Sequence, residues 1–192
     1  MSNTATFNGE TAEKKITIYQ ITCMAVMAAV MCIAGPLALP IGPVPISLTN
    51  LVIYFTVFVL GMKTGTGSFL VYLLLGAVGL PVFSGYAGGF AKIAGPTGGY
   101  LVGFVLMALI GGFIMEKCNR KLVPTMLGWV LATVVDYALG TAWFVLVAHC
   151  SFTYALTVCV VPFIIGDIIK IVIGTLVAVK VRKGLVKAGI AR

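Results

Sequence analysis

Asp167 and Lys170 stand three residues apart inside the apolar stretch "VPFIIGDIIKIVIG", Val161 to Gly174. At that spacing two side chains share one face of a helix. Inserting either charge into a bilayer costs about 2.5–3.5 kcal/mol on insertion scales. The pair has three readings, the third of which, a protease dyad, involves Asp136. As structure, it is an ion pair that ties its helix to the neighbours, although apolar replacements of such pairs are often neutral or stabilising. As a site, the aspartate accepts N–H bonds and the lysine donates to a carbonyl or carboxylate. That combination suits a small polar ligand carrying both kinds of group.

Few other residues carry chemistry. His149 beside Cys150 lacks the clustered partners of a metal centre, so no metal site is expected. Cys23, Cys32, Cys118, Cys150 and Cys159 form no Cys-x-x-Cys pair and read as small buried apolar residues. Asp136 precedes Tyr137 in another apolar run, and Gly166 precedes Asp167. These pairs loosely resemble the Tyr-Asp and Gly-x-Gly-Asp motifs of presenilin-like intramembrane aspartyl proteases. Here the order is Asp-Tyr, and Ile164 stands where the first glycine belongs. Asp136 reads equally as a second pocket residue, a partner for a buried donor, or a group facing a polar crevice. No GxxxxGK[ST] occurs, and "GGFAKIAGPTGG" does not follow a strand, so no nucleotide loop is expected. No catalytic residue and no cofactor are expected.

The elements that position these residues follow from composition. The 192 residues are 60% hydrophobic and 9% charged, with mean hydropathy +1.13. Soluble domains carry about 25% charged residues. The expected class is therefore an all-α integral membrane protein. Ile16–Met62 and Ile93–Met115 contain no Asp, Glu, Lys or Arg. Residues 1–15 are polar and unlike a signal-peptide n-region, and the run after them is long enough for a retained span. Six spans are expected, at about Ile16–Ala34, Leu48–Leu60, Gly67–Leu80, Gly98–Met115, Val123–Ala148 and Phe163–Val181, in one domain over residues 1–192. "GMKTGTG" is read as the connector between the second and third spans, and residues 182–192 as a basic tail.

The net charge of +8 would suggest nucleic acid in a soluble protein. Here it reads as topology. With the N-terminus inside, eleven basic residues fall inside: Lys14, Lys15, Lys63, Lys117, Arg120, Lys121, Lys180, Arg182, Lys183, Lys187 and Arg192. Lys92 falls outside and Lys170 within a span. This asymmetry favours cytoplasmic N- and C-termini.

Two connectors on the outer side are too apolar for ordinary loops. "GPLALPIGPVPISLTN" has four prolines among Gly35–Pro45, and Val82–Gly99 is rich in glycine. Irregular backbone at membrane depth survives only when buried in protein or lining a cavity. Both are expected to fold over the outer mouth of the bundle and cap a substrate pocket. Glycines such as Gly88 and Gly89 allow close approach to a ligand. In the first span, Ala25 and Ala29 lie on one face, where small residues allow another helix to pack closely. No inverted repeat or nucleotide fingerprint appears, so active transport would need a partner.

"LPIGPVPISLTN", "YLLLGAVGLPVFSGYAGGFAKIAGPTGGYLVGF", "YALGTAWF" and "PFIIGDIIK" together resemble the BioY family, the biotin-specific S components of energy-coupling factor (ECF) transporters. The resemblance runs from the first span to the last. It implies a high-affinity biotin-binding component of a vitamin uptake system, without enzymatic activity, in the bacterial cytoplasmic (inner) membrane. It implies two ATPase subunits and a transmembrane coupling protein as partners, the latter docking on the Ala25/Ala29 face. It implies that Asp167 and Lys170 hold polar atoms of biotin. On the same footing Lys92 meets the carboxylate, Tyr86 and Tyr100 flank the rings, and Asn50 or Thr49 adds a polar contact. Family members often carry glutamine at about the position of Thr49. The alternatives are an S component for another vitamin, a self-sufficient secondary carrier, and the protease.

Overall fold

The computed structural model describes residues 17–39 and 44–189. Lys14, Lys15 and Arg192, and the expected polar N-terminus, lie outside the described residues.

Helix α1 (Ile18–Ala34) starts at a capping box, in which Thr17 Oγ1 accepts from Gln20 N–H at 3.4 Å and Gln20 Oε1 accepts from Thr17 N–H at 3.0 Å. The first connector carries a small antiparallel pair, β1 (Ala38–Leu39) and β2 (Ile46–Ser47), with Ala38 opposite Ser47. Helices α2 (Thr49–Leu60) and α3 (Met62–Ala77) follow.

The third long helix thus begins at Met62, not Gly67, and "GMKTGTG" is no connector. Gly61 makes the whole corner, at φ +90°, which glycine adopts without strain. Met62 N–H, a donor left over at the start of α3, finds Glu116 Oε1 at 2.7 Å. With its first turn satisfied, the Gly/Thr run stays helical.

The second connector holds a short helix, α4 (Phe90–Ala94). Helices α5 (Gly98–Lys117) and α6 (Leu122–Ala148) form the longest packed pair. The sequence reading has no counterpart for α7 (Phe152–Cys159), which Ser151 caps by accepting from Tyr154 N–H at 3.4 Å. Helix α8 (Val161–Lys187) runs past Val181, so much of the expected basic tail is helical.

Burial is inverted relative to a soluble protein. On α8 the buried face is Phe163, Asp167, Lys170, Ile171, Gly174, Thr175 and Ala178, while Ile165, Ile168, Ile169, Val172 and Ile173 point outward. On α5 the buried face is largely glycine and methionine, and Val102, Leu106, Leu109 and Phe113 are exposed. Polar and small residues face the protein and large aliphatic ones face out, as a bilayer solvent requires. Gly98–Lys117, Leu122–Ala148 and the helical stretch Phe152–Lys187 are each long and apolar enough to cross a membrane. Helix α2 is shorter, about 18 Å at 1.5 Å per residue, but none of its residues is exposed. A helix sheathed by protein need not match the hydrocarbon thickness.

The two ends of the bundle differ. At one end lie both long connectors and Lys92. At the other lie the Gly61 corner, the Cys118–Lys121 loop and the end of α8, with Lys63, Lys117, Arg120, Lys121, Lys180, Arg182, Lys183 and Lys187. Arg182 donates to Val59 O at 2.5 Å there, satisfying a carbonyl at the end of α2. Burial, then the nearby Arg182 charge, pulls the Arg120 pKa down, and Glu116 opposes them.

Candidate functional site

At the connector end the helices part around a cavity of about 620 Å³, counting the space at its open mouth. Its floor is built around Asp167, 5% exposed. Asp167 Oδ1 accepts from Asn50 Nδ2 at 2.8 Å and from Lys170 Nζ at 3.0 Å. Its Oδ2 accepts from Tyr137 OH at 2.5 Å. Lys170 Nζ also donates to Ser47 O at 2.9 Å.

Four elements meet here, and each contributes polar groups from a largely apolar segment. Asp167 and Lys170 come from α8, Tyr137 from α6, Asn50 from the first turn of α2, and Ser47 from β2. Asn50 is oriented by Leu51 N–H, which donates to its Oδ1 at 3.1 Å. A carboxylate has about four lone-pair sites and an ammonium three donors. Asp167 therefore keeps one acceptor site, on Oδ2, and Lys170 keeps one N–H. Tyr137 keeps a lone pair. The floor offers donors and acceptors together, which is what a ligand with both kinds of group needs.

The roof comes from the connectors. Val44 and Pro45 from the first and Phe83 and Ser84 from the second line the cavity. Gly85 N–H donates to Pro36 O at 3.2 Å, joining the two. Tyr72 OH donates to Val82 O at 3.0 Å, and Trp143 Nε1 donates to Gly95 O at 3.0 Å, anchoring the second connector to α3 and α6. Apolar walls come from Leu101, Phe104 and Phe163.

The residues singled out in the sequence divide into two groups. Asp167, Lys170, Asn50, Tyr100 and Lys92 line the cavity, and Tyr100 OH shares a 3.1 Å hydrogen bond with Thr141. Tyr86 is 67% exposed and lines no part of the cavity, so the structure gives no support to its flanking a ring system. Thr49 is buried and takes a hydrogen bond from Ser47 Oγ at 3.2 Å rather than lining the cavity. Gly88 and Gly89 also stand back. A Cβ on Gly88 would lie 2.3 Å from Leu80 O, and Gly89 N–H donates to Gly76 O at 2.7 Å. Those glycines let the connector lie flat on the end of α3.

Sequence reasoning missed Tyr137 as a partner of Asp167, and the Ser47 carbonyl. The first was visible only as half of a protease-like dipeptide; the second is backbone and leaves no trace in residue type. A second, apolar groove opens between α6, α7 and α8, and Tyr137 and Asp167 border it as well. Ala25 and Ala29 are exposed on α1, which packs on α3 through Ala28 and Met31. Among the described residues no group of His, Cys, Asp and Glu could hold a metal ion.

Known proteins share this architecture. A biotin transporter BioY from Thermotoga maritima is 36% identical over 169 residues, covering 85% of this chain and 96% of that one. A biotin transporter BioY from Rhizobium etli is 37% identical over 171 residues, covering 83% and 91%. The crystal structure of an S-component for biotin from an ECF-type ABC transporter matches with a TM-score of 0.80 and 31% identity, over 85% of this chain and 90% of that one. Residues 9–187 match the BioY family along nearly the whole described bundle, and the chain belongs to that family.

Proposed function

We propose that this protein captures biotin at the connector end of the bundle and passes it inward as the membrane component of an ECF-type vitamin transporter. The observation that carries this reading is the buried Asp167–Lys170–Asn50–Tyr137 constellation at the floor of the cavity. Biotin's ureido ring has N–H donors and a carbonyl, and its side chain ends in a carboxylate. The free acceptor site of Asp167 takes a ureido N–H. The spare N–H of Lys170 faces the carbonyl. Lys92, at the cavity edge, meets the carboxylate, and Tyr100 packs against the ring system.

Helices α1, α2, α3, α5, α6 and α8 are the six spans, with both termini cytoplasmic in the inner membrane of a bacterial cell. The eight basic residues gathered at the far end support that orientation. Ala25 and Ala29 form the face for a transmembrane coupling protein, which links the chain to two ATPase subunits. The relatives are named as transporters, not peptidases, so the protease alternative is set aside.

Titration calorimetry of biotin into the purified, detergent-solubilised chain tests the reading, with thiamine and riboflavin as controls. Tight, selective biotin binding is expected. A folded sample that ignores biotin and takes up another vitamin would overturn the substrate.

A further inference from the structure

Asp136 is a carboxyl group that the site just described does not use. It sits on α6, beside Tyr137, and is 2% exposed. It lines the same cavity as Asp167. Its Oδ1 is buried with no hydrogen-bond donor in reach among the described residues. The packing around it is built to admit it. On the facing helix α5 stands Gly103, where a Cβ would lie 2.1 Å from Asp136 Oδ1. One turn away, Gly140 makes the same kind of room for the Tyr100 ring, with a Cβ position 2.2 Å from Tyr100 Cδ1. The α5–α6 seam is thus hollowed to bring Tyr100 and Asp136 to the cavity wall.

A buried acceptor without a donor is costly, and as packing alone an apolar side chain would serve better. The lone-pair count at Asp167 supplies a role. Asn50, Lys170 and Tyr137 occupy three of its acceptor sites, so Asp167 has room for one further N–H. A cyclic urea presents two.

We infer that Asp136 is a second ligand-contacting acceptor, taking the ureido N–H that Asp167 cannot. This rests on the reading of the cavity as a biotin site. It makes the site a two-carboxylate clamp, selective for a ring with N–H groups on both sides of a carbonyl. A site built to bond a ligand N–H discriminates strongly against an analogue without it.

The test is a cycle of protein variants and ligand analogues, read by calorimetry on the full-length chain in detergent. Asp136→Ala is expected to weaken biotin at least about tenfold. Asp136→Asn, which fills the same space, is expected to weaken it at least about threefold, and it carries the test if the alanine variant does not fold. The analogues are biotins methylated on one or the other ureido nitrogen. For one of the two, the wild type is expected to lose at least about tenfold, and Asp136→Ala or Asp136→Asn to change its affinity less than about twofold. Biotin binding unchanged in both variants would overturn the inference and leave Asp136 as packing against Gly103 or as the partner of a bound water. Equal losses for biotin and both methylated analogues would also overturn it, since the carboxyl would then act on fold rather than on a ligand N–H. No biotin binding by folded wild type would instead overturn the substrate reading, and this inference with it.

Discussion

Asp167 is the residue on which the site converges, and its three donors come from three different helices. Removing Lys170 leaves Asp167 with Asn50 and Tyr137, so the carboxylate stays hydrogen-bonded and the fold is expected to survive. What is lost is the lysine's remaining N–H and the bond to Ser47 O that holds the first connector down. Lys170→Ala is expected to weaken biotin more than about tenfold, or about 1.4 kcal/mol, while the protein still elutes as one symmetric peak in size-exclusion chromatography. Asp167→Asn keeps the volume and exchanges a charged acceptor for an amide. It is expected to cost biotin affinity by a similar factor. Wild-type affinity in both variants would reduce the pair to structure. A replaceable structural pair gives no reason to bear the insertion cost of two charges in α8, whereas a ligand site does.

The elements hold these residues through close helix contact rather than through hydrophobic collapse, because lipid is as apolar as the helix faces. Trp129 of α6 is fully buried, and its ring lies 4.9 Å from that of Tyr54 on α2. On α5 it meets Gly111, where a Cβ would be 2.2 Å from the Trp129 ring. Gly111→Ala is therefore expected to destabilise the bundle by about 1–3 kcal/mol through overpacking, seen as a lower melting temperature in detergent. An unchanged melting temperature would mean that α5 and α6 are free to part, contrary to the length of their contact.

The same elements show how far sequence alone reaches. Long apolar runs make α5 and α6 readable to within a few residues, and α8 except for its last turns. Helix α7 was not read, since eight residues cannot span a membrane, although Ser151 as a cap and Pro162 after the segment both marked it. The start of α3 depends on Glu116, 54 residues away, and no local pattern carries that. At the site, Asp167 and Lys170 stand out as charges in an apolar run, whereas Asn50 is implied only by the family resemblance. The Tyr137–Asp167 bond arises only when α6 and α8 come together, and Tyr86, implied by the resemblance, is exposed.

At the scale of the whole molecule, the proposed function assigns capture and assembly to different surfaces. The cavity is walled by α2, α5, α6, α7, α8 and the two connectors, and no described residue of α1 lines it. Helix α1 buries Ala28 and Met31 against the bundle and leaves Ala25 and Ala29 outward, among exposed Ile18, Ile21, Val26, Val30 and Ile33. Large aliphatic residues facing lipid need no explanation, but small ones at a spacing of four make a shallow groove in which a second helix can approach closely. Filling that groove should block docking without reaching the ligand. The double substitution Ala25→Leu with Ala29→Leu is expected to cut co-purification with the coupling protein at least about tenfold when both are expressed in one membrane, while biotin affinity stays within about twofold. If assembly is normal, the docking surface lies elsewhere on the bundle. If biotin affinity falls along with assembly, α1 is coupled to the cavity through α3, whose Tyr72 holds the second connector at Val82, and docking and capture are then one linked process rather than two separable ones.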